Sequence, residues 1–203
     1  MVPRRMLIDI DEFGIELANT NRKRGVAPVG IRIRRKGNYV KEQKLTVIVA
    51  VEPGDPRLPA GAYGSIGRPR IWVKVSYGAG TTASDFADFL EDDIIDELEN
   101  NPLPGQGNMP RIFIWDNLTA HQTPVVHNAV TLRPHGRFQI IARPPYRPED
   151  GPIEYIIHQI VMAVEKREMD CTDTPALKRV IEMVTPQITG VDETFHKCGY
   201  IWT

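Results

Sequence analysis

Cysteine is nearly absent from this 203-residue chain: only Cys171 and Cys198 occur, far apart and outside any CxxC pattern. That excludes a disulfide framework and a cysteine-ligated zinc site, and both thiols are expected to be small buried residues. Long hydrophobic runs are missing as well. No stretch approaches the roughly 20 apolar residues that span a bilayer, and Met1-Val2-Pro3-Arg4-Arg5 leads directly into a strand-like segment too short for a signal peptide. An intracellular protein with no membrane partner is expected. A charge excess is also lacking: 25 Lys or Arg against 26 Asp or Glu leave a net charge of −1, which argues against indiscriminate coating of nucleic acid. Internal repeats and low-complexity segments are not seen either. With 41% hydrophobic residues the chain suffices for a full core, and one domain over residues 1–203 is expected.

The even charge balance hides a polarity. From Arg4 to Lys44 there are eleven Lys or Arg against five acids, an excess of six, whereas Asp85 to Glu99 holds eight acids and no base. A one-sided contact with DNA is compatible with this distribution, and Arg32, Arg34, Arg35 and Lys36 are candidates to follow phosphates. The same four residues could equally form a charged, solvated strand edge. The acids of 85–99 alternate with Phe86, Phe89, Leu90, Ile94 and Leu98 at helical spacing, so they read as the solvated face of a helix capped by Thr82 to Asp85.

Hydrophobic patterning predicts strands at Met6 to Asp11, at Lys44 to Val51, at Arg70 to Val75, at Arg111 to Trp115 and at Phe138 to Ala142. The alternation Gly30-Ile31-Arg32-Ile33-Arg34 reads as a further, half-exposed strand. Helices are expected over 82–99, over Pro124 to Leu132, after the turn Pro144 to Pro148, and from about Pro175 to Thr185, the last serving packing. Strands joined by hairpin-type links and followed by βα alternation imply a mixed α/β sheet: three antiparallel strands, then two parallel βα units, with helices on both faces. A C-terminal helical extension is expected from about residue 170.

Asp11 and Asp116 each close a predicted buried strand. If those strands are parallel neighbours, both carboxylates emerge at the sheet edge where ligand sites of open α/β sheets lie. Glu154, in the first turns of the long helix, would complete a cluster of three. Asp9 points to the same face as Asp11, two residues away, and Asp11 is preferred as the ligand. Three carboxylates cannot stay ionised together without cations. Mg²⁺, or Mn²⁺ in its place, suits such hard oxygen donors, and two ions about 4 Å apart serve in-line phosphoryl transfer. Asp11 is assigned the bridging position, with Asp116 and Glu154 each completing one ion. Asn117 is expected to orient Asp116. His121 could steer the nucleophile or cap the helix near Pro124, and Glu12 and Asp150 read as turn acids.

Several segments resemble the DDE transposases of the Tc-mariner superfamily over nearly the whole chain, from Leu7 to about Tyr200. Asp11-Glu12-Phe13-Gly14 looks like the family's first block, and Arg24 to Gly30 resembles the basic Gly/Pro segment after it. Trp115-Asp116-Asn117-Leu118-Thr119-Ala120-His121 is similar to the second block. Pro144-Pro145-Tyr146-Arg147-Pro148-Glu149-Asp150-Gly151-Pro152-Ile153-Glu154 resembles the third, and 37 residues separate Asp116 from Glu154, near the family's spacing. Phe195 to Tyr200 looks like a terminal motif of some members. Arg147 stands where Ser is usual and Gly151 where Asn is usual; Gly151 can still adopt the backbone shape that Asn would favour, since both tolerate left-handed conformations.

The resemblance implies an RNase H-like fold, catalytic and metal-ligating Asp11, Asp116 and Glu154, DNA as partner, Mg-dependent strand cleavage and transfer, a possible homodimer, and nuclear residence in a eukaryote. Family members normally carry helix-turn-helix modules ahead of the first strand, and none is expected within these residues. Two other readings are a degenerate or domesticated derivative that only binds, and a general RNase H-type or junction nuclease.

Overall fold

The computed structural model describes residues 6–21, 28–32, 37, 42–54, 69–78, 80–100, 110–133, 137–143 and 151–200. Five strands, β1 (Leu7–Ile15), β2 (Leu45–Glu52), β3 (Arg70–Tyr77), β4 (Arg111–Trp115) and β5 (Phe138–Ala142), form one sheet in the order β3-β2-β1-β4-β5. The β1–β2 and β2–β3 pairs are antiparallel, and β1–β4 and β4–β5 are parallel. This is the mixed sheet expected from the strand pattern. Every residue of β2 is buried, as its β-branched run Thr46-Val47-Ile48-Val49 requires of a strand covered on both faces.

Alternation along β1 divides the core in two. Ile8 and Ile10, with Ile48, Phe113 and Trp115, pack under α1 (Ala83–Asp88) and α3 (Pro124–Thr131). Leu7 and Ile15, with Val47, Val49, Ile112 and Ile114, pack under α4 (Pro152–Lys166), α5 (Thr174–Val184) and α6 (Val191–Lys197). Asp9 and Asp11 share the parity of Leu7 and therefore face α4.

Three expectations change. β1 does not stop at Asp11 but runs to Ile15, because its antiparallel ladder with β2 continues from Asp9↔Val51 to Ile15↔Leu45 after the parallel pairing with β4 has ended at Asp9↔Ile114. The helix over 82–99 is not uniform: a π segment, Phe89–Ile95, joins α1 to α2 (Asp96–Asn100), with the Asp96 N–H reaching back to the Glu91 carbonyl. The wider turn buries both Ile94 and Ile95 beneath the acidic face. The strand expected at Gly30 to Arg34 is not formed in its described part. Gly30 takes φ +86° in a turn, Ile31 N–H donates to the Pro28 carbonyl, and Ile31 and Arg32 carry no regular structure. Arg34, Arg35 and Lys36 lie outside the described residues.

On the face of the sheet opposite Asp9 and Asp11, Glu52 on β2 joins two arginines. Its Oε1 is 2.8 Å from Arg111 Nε on β4 and its Oε2 accepts from Arg70 Nε of β3 at 2.7 Å. Arg70 and Trp72 also donate to Glu97 of α2, at 3.4 and 2.7 Å, so part of the acidic helix face docks on the sheet edge. No helix among the described residues is long and apolar enough to cross a membrane.

Candidate active site

The parallel register sets the site. Asp9 pairs with Ile114, and carrying that offset two residues onward brings Asp11 level with Asp116, on the face that both strands turn toward α4. Gly151 begins α4 as its N-cap, Pro152 occupies the first turn, where a missing N–H costs nothing, and Glu154 follows in that same turn. The three carboxylates feel one another. Burial and then the Asp116 charge push the Asp11 carboxyl above its ordinary range, against the Glu12 N–H and Arg143. Burial, then Asp11 and Asp116, do the same to Glu154, with Arg143 opposing. Among the described residues, no three His, Cys, Asp or Glu side chains stand at the separations of a formed metal centre. The donor set is nonetheless all hard oxygen and mutually repulsive, which fits a divalent Mg²⁺ or Mn²⁺.

Among the described residues, Asp116 is held through Oδ1, which accepts from the Leu118 N–H at 3.1 Å and lies 2.8 Å from His121 Nδ1. His121 is fully buried, stacked on Phe86 at 4.1 Å between ring centroids. Its Nε2 lies 3.8 Å from Glu12 Oε1, an ion-pair separation too long for a hydrogen bond. Burial works to lower the imidazole pKa, but Glu12 and Asp116 together raise it above the usual value. Glu12 falls below its usual range, burial being outweighed by the facing imidazole together with Thr81. Glu12 is thus a half-buried strand partner of His121 and not a turn acid. Nor does His121 cap α3, whose N-cap is Thr123.

Asn117 makes a different bond from the expected one. Its Nδ2 donates to the Arg143 carbonyl at 3.1 Å, tying the end of β4 to the end of β5, while Asp116 is oriented by His121 and Leu118.

Asp9 and Arg143 complete the picture, and the second was not singled out by sequence. Asp9 is 1% exposed. Its Oδ2 accepts from the Ile153 N–H at 3.0 Å and its Oδ1 from Arg143 Nη2, so it pins the N-terminus of α4, and with it Glu154, to β1. Burial carries its pKa to about 6 despite Arg143 and the Ile153 N–H. Arg143 Nη1 also donates to Asp11 Oδ2, at 3.3 Å. A single arginine after a short strand carries no periodicity or motif by which it could be found. Gly151 has φ −96° and ψ 106°, so the left-handed freedom expected of it is not used. A side chain there would instead crowd the guanidinium, since an ideal Cβ would lie 3.0 Å from Arg143 Cζ. Arg32 is exposed, and Arg147 and Asp150 lie outside the described residues.

Solved structures share this fold. The Mos1 mariner paired end complex with Mn matches with TM-score 0.63 at 15% identity, over 97% of this chain and 52% of that one. A pre-cleavage Mos1 transpososome gives TM-score 0.65 at 14% identity, over 97% and 52%. The catalytic domain of Mos1 mariner transposase gives 0.61 at 14%, over 97% and 76%. The chain thus spans about half the length of the first two matched chains. These likenesses establish the RNase H-like α/β fold that the sequence led us to expect. Comparison with curated proteins finds no match. Residues 6–175 match a family model described as DDE superfamily endonuclease, and the chain therefore belongs to that family of endonucleases.

Proposed function

We propose that residues 1–203 form a single transposase catalytic domain of the Tc-mariner type, with helical additions from about residue 170, which cleaves and transfers DNA strands in a metal-dependent reaction. The observation that supports this reading is the register that sets Asp11 level with Asp116 on the face turned toward α4, whose first turn carries Glu154. Asp11, Asp116 and Glu154 would together hold the divalent ions, two in number on this reading. When bound, such ions supply activation of a water or 3′-hydroxyl and stabilisation of the leaving oxygen.

The protein's own groups do the rest. His121, stacked on Phe86 and facing Glu12, holds Asp116 through Oδ1. Asp9 fixes the first turn of α4 so that Glu154 stands opposite Asp11. Arg32, with Arg34, Arg35 and Lys36, is proposed to follow the phosphate backbone of transposon-end or target DNA. A homodimer, an intracellular location and, in a eukaryote, a nuclear one belong to the same reading, as the Mos1 relatives are solved as paired end complexes.

The test is strand nicking by purified protein, fused to an end-binding module, on DNA carrying candidate inverted-repeat ends with Mg²⁺ or Mn²⁺. Nicking that disappears in Asp116→Ala and Glu154→Ala is expected. Absence of nicking on every end sequence, together with no Mn²⁺ binding by calorimetry, would leave a binding-only derivative as the better reading.

A further inference from the structure

Arg143 places a fixed positive charge against the very carboxylates proposed to take divalent cations. Its backbone is clamped on both sides: its N–H donates to the Trp115 carbonyl at 2.7 Å and its carbonyl accepts from Asn117. Its guanidinium is buried, lies flat against Gly151, and splits between Asp9 and Asp11. The two halves are unequal. The Asp9 carboxylate is buried and also held by the Ile153 N–H, whereas the contact to Asp11 Oδ2 is long, at 3.3 Å, on a carboxyl that still reaches solvent. The guanidinium also sits at the N-terminal end of α4, where the helix dipole disfavours a cation, so it depends on the two aspartates for its place. Gly151 is what makes the place available. Any Cβ there would come to 3.0 Å of Cζ and 3.2 Å of Nη1.

We infer that Arg143 is a tethered counter-ion of the acid centre: Asp9 holds it permanently, and it occupies Asp11 Oδ2 until a divalent cation competes it away. This rests on the proposed reading of Asp11 as a metal ligand. It makes Arg143 and Gly151 positioning residues that set how tightly the centre loads. Removing the guanidinium frees Asp11 and removes a repulsive charge from the metal site, and crowding it at Gly151 weakens the same contact while the charge remains.

Calorimetric titration with Mn²⁺ at fixed pH and ionic strength, on the full chain without DNA, tests this. Arg143→Met should bind Mn²⁺ about tenfold or more tightly than wild type, while its metal-free melting temperature falls because Asp9 loses its partner. Gly151→Ala leaves the charge and the buried pair in place and threatens folding far less; it should tighten Mn²⁺ binding by a smaller factor. Asp116→Ala serves as the control that loses the ion. If wild type binds Mn²⁺ and Asp116→Ala does not, yet neither Arg143→Met nor Gly151→Ala binds more tightly, the counter-ion role is overturned and the metal reading stands. If no form binds Mn²⁺, both fall.

Discussion

Asp9 and Asp11 are two residues apart and on one face, yet they carry different tasks. Asp9 is sealed under the first turn of α4 and Asp11 remains partly open. The raised pKa of Asp9, about 6 against 3.8, has a definite sign. The folded state holds its proton more tightly than the unfolded chain, so the stability this group contributes is fully present below about 3.8 and is lost as pH rises to about 6. Asp11 and Glu154 are raised likewise, so they contribute in the same direction and must lose protons to take a cation. Thermal melts of the metal-free and Mn²⁺-saturated protein should therefore show a metal-induced rise in melting temperature that grows with pH as these carboxyls lose their protons. A rise that does not grow with pH would contradict the raised carboxyls.

His121 offers a second measurement at this scale. Its Nδ1 fixes Asp116, and groups that orient metal ligands typically matter by about 10–100-fold in affinity or activity. His121→Ala should lower Mn²⁺ affinity or nicking within that range, whereas Asn128→Ala, on the exposed side of α3, should change neither. A residue-by-residue reading of the sequence reached the three acids because each ends a patterned strand or opens a helix. It did not reach Arg143, Asp9's anchoring role or the true partner of Asn117, since these depend on side-chain directions between segments remote in sequence. Asn117 and Arg143 are 26 residues apart, and Arg143 and Asp9 are 134 apart.

Among the elements, α4 matters most to the site because it carries Glu154 and covers both aspartates. Its inner stripe, Ile153, Ile156, Ile160 and Val164, is fully buried. Truncating Ile160→Ala should cost about 2–5 kcal/mol by lost burial plus the cavity left behind, read by urea denaturation. At four positions below Ile156 it should leave the identity of the metal ligands unchanged. Helices α3 and α5 were legible, with Pro124 and Pro175 near their starts, whereas α4 was placed only as following the turn Pro144 to Pro148 and α6 was not placed individually. The π segment was not legible, because Phe86, Phe89, Leu90, Ile94 and Leu98 also satisfy an ordinary helical stripe. Only the packing of both Ile94 and Ile95 against the sheet calls for the wider turn. Strand β1 teaches the converse. Its apolar run stops at Asp11, but a ladder partner on one side prolonged the strand through Glu12, Phe13 and Gly14.

For the molecule as a whole, the two faces of the sheet carry separate ion clusters. Glu52, Arg70 and Arg111 lock β2, β3 and β4 together on the face opposite Asp9 and Asp11. Removing one member of a buried ion cluster leaves the others uncompensated, so Glu52→Gln should destabilise by about 3–5 kcal/mol, without moving Mn²⁺ affinity. A matching change in affinity would show that the two faces are coupled. Sequence alone determined the five strand segments and the mixed character of their sheet, the two-sided burial of β2, and which three acids are candidates, because hydrophobic period and strand-end chemistry are local properties. Tertiary structure alone decided that a buried arginine shares those acids, that Gly151 is small to admit it, and that His121 and not Asn117 steers Asp116. Those outcomes depend on which side chains meet across the sheet, and no local pattern of residues encodes such meetings.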